Sequence, residues 1–165
     1  MKWLNLAAWL LMCLGVGAIG ARWTAPEIHD WYRGLRKPSF NPPNWLFGPV
    51  WTLLYVLMGV AMWRVGSTKS SEIRSVGLVL FAVQLALNLA WSWIFFRRHA
   101  LGTALVEMFL LWMSIAATMG VFALVDPIAA GLLIPYLGWV SYAFSLNAVI
   151  WRLNRSASSG GARYN

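Results

Sequence analysis

The residues able to do chemistry in this chain are few, and they recur at helical spacing inside apolar sequence. Gln84 and Asn88 stand at i and i+4, with Trp91 continuing their face; Trp51 and Tyr55 repeat the same spacing; Glu107 is a lone acid; and Trp139, Tyr142 and Asn147 follow near the end. Polar side chains are expensive in lipid and turn toward a bundle interior or a cavity, so these positions carry the information. The chemistry they offer is binding, through amide hydrogen bonds and indole faces. Reaction signatures are missing. His29 and His99 both fall in loops, without a partnered carboxylate and nucleophile, so neither a catalytic triad nor a closed metal site is supported. His29 as an axial haem ligand is a weak further option.

Each position also has a plain structural explanation. Amides between membrane helices are often only glue, worth about 0.6 kcal/mol each, and Gln84 and Asn147 fit that role as well as a ligand role. Glu107 fits an acid in the first turns of a helix, favoured by the helix dipole and by Arg97 or Arg98. Trp3, Trp23, Trp45, Trp63, Trp93 and Trp151 fall near the ends of apolar stretches and fit an aromatic belt. Trp51, Trp91, Trp112 and Trp139 lie too deep for it. Packing or a ligand must explain these four, and a ligand is the better explanation for Trp51 and Trp139.

The elements that position these groups are apolar spans. The 165 residues are 60% hydrophobic and 11% charged, too apolar for a soluble domain of this size. A spanning helix needs about 20 apolar residues, and five stretches qualify: 3–21, 45–65, 76–96, 101–125 and 128–151. The fold class is therefore all-α, an integral five-helix membrane bundle. The first stretch has a weaker reading as a signal peptide, with Lys2 before it and Gly15, Gly17, Ala18, Gly20 and Ala21 resembling a cleavage region. Loop 22–44 is long for a connection between neighbouring helices. Thr24 and Glu27 have capping-box spacing there, and Ile28, Trp31, Tyr32 and Leu35 follow a helical period, predicting a short amphipathic helix. That helix either rests on headgroups or packs over the bundle as a lid, and Pro38, Pro42 and Pro43 stiffen the return into the second span. Residues 154–165 are Ser/Gly-rich and read as a disordered tail.

The net charge of +8 is scattered over span ends and loops, not along one polar face, which reads as an orientation signal and not as nucleic-acid binding. With the N-terminus outside, Arg22, Arg33, Arg36, Lys37, Arg97, Arg98, Arg152, Arg155 and Arg163 collect inside, against Lys2, Arg64, Lys69 and Arg74 outside. That asymmetry favours N-out, C-in. In this orientation Trp51, Trp91, Glu107 and Asn147 lie about 8–12 Å below the first-loop surface and Trp139 near the midplane, one layer under the loop. Ala82, Ala86 and Ala90 form a small-residue stripe roughly opposite Asn88, predicting a homodimer contact. Cys13, the single cysteine, excludes an intramolecular disulfide.

Three runs taken in order, WYRGLRKPSFNPPNWLFGPVWTLLY at 31–55, QLALNLAWSWIFF at 84–96 and PYLGWVSYAFSLNAVIWRLN at 135–154, resemble the tryptophan-rich sensory protein and peripheral-type benzodiazepine receptor family, also called the translocator protein family. The resemblance covers all but the tail. It implies a five-helix bundle, often dimeric, with a pocket open toward the first loop. The implied ligands are protoporphyrin IX and haem, taken up as ligands and not as obligatory cofactors, sterols in the mitochondrial branch, and isoquinoline carboxamide or benzodiazepine-type drugs. Carried over position by position, the pocket residues are Tyr32, Pro42, Trp51, Asn88, Leu110, Trp139, Ala143, Leu146 and Asn147. Two positions depart from the animal pattern. Asn41 and Asn44 stand where animal members carry histidines, and Ala148 and Val149 stand where their sterol motif needs a tyrosine, which argues against strong sterol binding.

Taken together, the residues and the resemblance point to a pocket for a flat, mostly apolar ligand, with Arg33, Arg36 or Lys37 pairing its propionates at the membrane surface. A tetrapyrrole-binding receptor or sensor is the first reading. Light- and oxygen-dependent porphyrin degradation, with Trp51 and Trp139 as redox participants, is the second, and a porphyrin or sterol transporter is the third. The arginine-rich inner loops fit a bacterial cytoplasmic membrane.

Overall fold

The computed structural model describes residues 2–159. Helix α1 (Lys2–His29) is followed by a single turn, α2 (Trp31–Gly34), then α3 (Asn44–Gly66) and α4 (Glu72–Ser92). A π-helical turn, Trp93–Arg97, continues α4; α5 (Leu101–Val125), the short α6 (Pro127–Leu132) and α7 (Ile134–Ser159) complete the chain. These make five helical stretches long and apolar enough to cross a membrane, all-helical as expected.

Local chemistry sets the boundaries. The Ser71 hydroxyl accepts from the backbone N–H of Arg74 and starts α4, a side-chain cap of the usual kind. Asp126 does the same for α6, accepting from Ile128 and Ala129, with Pro127 at the first helical position where its missing N–H is harmless. The fifth span is interrupted at Leu133, between α6 and α7, and Pro135 lies in the first turn of α7. Arg64 at the end of α3 pairs with Asp126 at 2.9 Å, linking the two helix ends on the face away from the first loop.

Two boundaries differ from the sequence reading. The first helix does not stop near Ala21 but continues through Pro26 to His29. Thr24 and Glu27 are therefore interior helical residues, and the amphipathic helix shrinks to the one turn of α2. Glu27 explains part of the extension: its carboxylate meets His99 at 2.9 Å and Arg97 at 3.9 Å, tying the end of α1 to the turn before α5. At the other end α7 runs to Ser159, so residues 154–159 of the expected disordered tail are helical, and 160–165 lie outside the described residues. Asn154 secures this stretch by accepting from the backbone N–H of Arg36 and donating to its carbonyl, at 3.1 and 3.0 Å.

In lipid the helices gain little from hydrophobic burial against one another, so close packing and hydrogen bonds hold the bundle. Phe81 of α4 stacks on Phe122 of α5, centroids 6.0 Å apart, within a core that includes Met58, Met108, Leu111, Ile115 and Tyr136. A second cluster of Tyr32, Phe95, Phe96, Ala104, Leu146 and Ile150 closes the first-loop end. The first loop packs over the bundle through Ile28, Trp31 and Leu35, turned toward that cluster. Ala82 and Ala86 lie exposed on the outer face of α4, and Ala90 is half-buried.

Candidate functional site

Beneath the first loop lies a cavity of about 400 Å³, inside the range typical of small-molecule sites. Its aromatic walls come from four elements: Tyr32 from α2, Phe47, Trp51 and Tyr55 from α3, Trp91 and Phe96 from α4 and its π turn, and Trp139 from α7 with Ala143 one turn on. The rings brace one another. Trp51 lies 5.7 Å from Tyr55 and 6.3 Å from Tyr136, while Trp139 lies 6.1 Å from Phe47 and 5.6 Å from Tyr142. The indole N–H groups of Trp91 and Trp139 are buried without a protein acceptor. Both nitrogens are shielded from the cavity, so it is the ring surfaces of these residues that line it.

Of the nine pocket positions carried over by resemblance, the structure brings Tyr32, Trp51, Trp139 and Ala143 to the wall. Asn88 is not on it. It sits behind Tyr55, accepting from the Tyr55 hydroxyl and donating to the Tyr136 hydroxyl at 3.0 Å, so it braces the floor. Pro42 is buried in the loop and does not line the cavity. Leu110 is 52% exposed and points outward, because α5 turns its neighbours Glu107 and Leu111 inward. Leu146 packs in the cluster at the first-loop end, beside Ile150. Asn147 is buried off the wall with no protein partner on either amide atom, and Glu107 is likewise buried with both carboxylate oxygens unpartnered. Gln84 is buried in the core, its amide nitrogen 4.0 Å from the Met58 sulfur. The deep indole of Trp112 has a packing explanation, since it donates to the Ser141 hydroxyl at 2.8 Å.

None of the three proposed propionate partners lines the cavity. Arg33 and Arg36 are exposed on the loop. Lys37 is committed elsewhere: its ammonium donates to the carbonyls of Tyr32, Leu35 and Arg33 at 2.6, 3.1 and 3.3 Å and sits 4.7 Å from the Tyr32 ring. It caps the α2 turn, and burial holds its ammonium below the usual lysine value. His29 is exposed and lines no part of the cavity, which leaves an axial role for it without support. The roof is also pinned by Tyr32, whose hydroxyl donates to Asn41 at 2.7 Å. Burial pushes that hydroxyl up to about 12, nearby Tyr142 adds to the effect and Asn41 opposes it, so it stays a protonated donor at neutral pH.

The sequence reading missed one whole wall. Gly17, Ala18, Gly20, Ala21, Thr24 and Ala25 of α1 line the cavity, facing Asn44, Gly48 and Thr52 of α3. The small residues that resembled a cleavage region are the signal that could have found it, since small side chains let a span border a cavity without filling it.

A five-span helical membrane bundle with an aromatic cavity under its first loop is the class of protein that fold and site define. Residues 9–152 match the profile of the TspO/MBR family, and the chain belongs to that family. It is 48% identical to the tryptophan-rich protein TspO of Chlorobaculum tepidum, across 92% of this chain and 96% of that protein. It is 42% identical to the human translocator protein, across 86% and 85%, and 38% identical to the tryptophan-rich sensory protein of Cereibacter sphaeroides, across 88% and 92%. A role as a membrane receptor or sensor is in keeping with these relatives.

Proposed function

We propose that the chain is a receptor or sensor for tetrapyrroles, protoporphyrin IX and haem among them, that also takes translocator-type isoquinoline carboxamide and benzodiazepine ligands. One observation carries this reading: Trp51, Trp91 and Trp139, contributed by three different helices, line one cavity of about 400 Å³. A flat ring stacked between Trp51 and Trp139 gains about 0.5–1.5 kcal/mol per aromatic pair beyond burial. Against these gains stands the entropy of association, and micromolar affinity is the expectation. With no histidine on the cavity wall, haem is held there by its ring against the aromatic side chains. The N-out, C-in orientation in a bacterial cytoplasmic membrane belongs to the same proposal. Tryptophan-fluorescence titration with protoporphyrin tests it, repeated on Trp51→Ala and Trp139→Ala. Each variant is expected to weaken binding about tenfold, and unchanged affinity in both would rule this pocket out.

A second reading has its own support, since Trp51 and Trp139 both border the cavity and would flank a bound macrocycle. Porphyrin as photosensitiser and dioxygen as oxidant would then yield a discrete pigment under light. Trp51→Phe is expected to abolish that pigment while leaving dark binding measurable.

A further inference from the structure

The cavity is closed unevenly along the seam where α1 runs antiparallel to α3. In the half away from the first loop the two helices are in tight contact: a Cβ on Gly59 would stand 2.9 Å from the Leu10 side chain, and one on Gly17 would strike the Tyr55 ring at 2.5 Å. Only glycine allows that approach. Continuing the same register past Gly17 sets Ala21 and Ala25 opposite the Gly48–Thr52 turn, and there the helices part. A Cβ on Gly48 would meet nothing within 4 Å.

Exposure agrees with this spacing. Ala18, Ala21, Ala25, Gly48 and Thr52 all line the cavity, and all are exposed. A residue that borders an internal cavity and also the outer surface marks an opening. At about 1.5 Å per residue, Ala25 and Gly48 lie about 6 Å, and Ala21 and Thr52 about 12 Å, along their helices from the first-loop ends. All four belong to spans, which places the opening at the level of the upper acyl chains and the headgroup boundary. The roof, by contrast, is fastened repeatedly. Tyr142 donates to the Phe40 carbonyl at 2.6 Å, Tyr32 is bonded to Asn41, Lys37 gathers three carbonyls, and Asn154 holds both backbone groups of Arg36.

We propose that the first-loop half of the α1–α3 seam is a lateral portal, and that the ligand reaches the cavity from solution in the bilayer. The proposal rests on the reading of the cavity as a ligand site. It narrows the ligand class to amphiphiles that partition into lipid, with a flat apolar body to pass between small side chains and polar groups at one edge. In the hydrocarbon such an edge stays toward the headgroups, so the ligand arrives with its polar groups already under the first loop. Water-soluble analogues that do not enter membranes are poor ligands even where they would fit the cavity.

The test compares two reducible bridges. One joins an Ala21→Cys, Gly48→Cys pair across the seam with a bismaleimide containing an internal disulfide; the other joins a Trp31→Cys, His99→Cys pair, whose rings stack 4.1 Å apart between the roof and the turn before α5 and line no part of the cavity. Both proteins, in phosphatidylcholine vesicles, receive protoporphyrin IX from preloaded vesicles while tryptophan quenching is followed in time. The seam bridge is expected to slow association and dissociation each by about tenfold or more, and reduction to restore both, as for a gated site. The roof bridge is expected to leave both rates unchanged. A seam-bridged protein that binds as fast as its reduced form, or a roof bridge that alone blocks binding, would overturn the portal. Absence of saturable quenching in the unmodified chain is a different result, and sinks the ligand-site reading itself.

Discussion

The Tyr55 hydroxyl donates to the Oδ1 of Asn88, joining α3 to α4 directly below the cavity, and Asn88 passes the chain on to Tyr136 of α7. Three spans meet in one row of hydrogen bonds, shielded from lipid. The row shapes the cavity floor, because the face of Tyr55 is part of the wall while its hydroxyl is engaged behind it.

Tyr55→Phe keeps the ring and removes the bond. It is expected to lower stability by about 1 kcal/mol, the scale of one hydrogen bond in a membrane interior, with little change in porphyrin affinity. Asn88→Leu loses both bonds and is expected to lower stability further. Thermal unfolding in detergent, alongside ligand titration, separates a brace from a ligand contact. A large affinity loss in Tyr55→Phe at unchanged stability would contradict this assignment.

Ala143 and Leu110 both follow from the family resemblance, yet the structure puts one on the cavity wall and the other on the outer surface. Ala143→Leu adds volume inside the cavity and is expected to weaken porphyrin binding about tenfold, an overpacking penalty of about 1–3 kcal/mol. Leu110→Ala is expected to leave affinity unchanged. Parallel fluorescence titrations decide, and a reversed ranking would refute the placement.

Lys37 and the exposed pair Arg33 and Arg36 are expected to differ in kind. Lys37→Gln removes three bonds to loop carbonyls, so it weakens binding of free-acid and dimethyl-ester porphyrin alike by loosening the roof. A joint Arg33→Gln, Arg36→Gln variant weakens only the free acid, by about two- to fivefold, the scale of exposed ion pairs. Comparing the acid with its ester in each variant provides the check.

Asp126 gives a pH dependence. Burial alone would raise its carboxyl, but Arg64 and the backbone N–H groups of Ala129 and Ile128 outweigh that and hold it below the ordinary value. A carboxyl depressed in the folded state stabilises fully above its unfolded value, about 4, and this contribution is lost as pH falls through the lower folded value. Asp126→Asn keeps an oxygen that can cap α6 and loses only the charge that pairs with Arg64, so it is expected to cost about 0.2–1 kcal/mol at neutral pH, with the difference shrinking below about pH 4. Melting curves of both proteins across that range would show the two converge.

The small-residue stripe of α4 predicts a homodimer, with Ala82 and Ala86 exposed on the outer face. An Ala86→Cys variant is expected to cross-link to a dimer in native membranes. A chain that stays monomeric under oxidant would count against that contact.

Much of the fold was legible because lipid imposes strict arithmetic: about 20 apolar residues per span, tryptophans at the ends, polar groups turned inward. Depth singled out Trp51, Trp91, Trp112 and Trp139; the first two and Trp139 line the cavity, while Trp112 donates to Ser141 instead. Asn88 and Leu110 show where this stops. An amide inside a span is drawn inward whether it brackets a ligand or a neighbouring tyrosine, and only the position of Tyr55 and Tyr136 decides between the two. Leu110 carries nothing in its own type to say which way it points.

The sequence by itself determined five spans, their antiparallel order and a layer of indoles and amides beneath the first loop, since the hydrophobic pattern must satisfy the bilayer along each helix separately. Only the tertiary structure decided which of those groups share a cavity, that Lys37 secures the roof, and that α1 and α3 meet at Gly17 but part at Gly48. Those outcomes depend on how far apart two helices stand and how each is rotated. Both quantities come from side chains meeting across an interface, which the pattern within one helix does not contain.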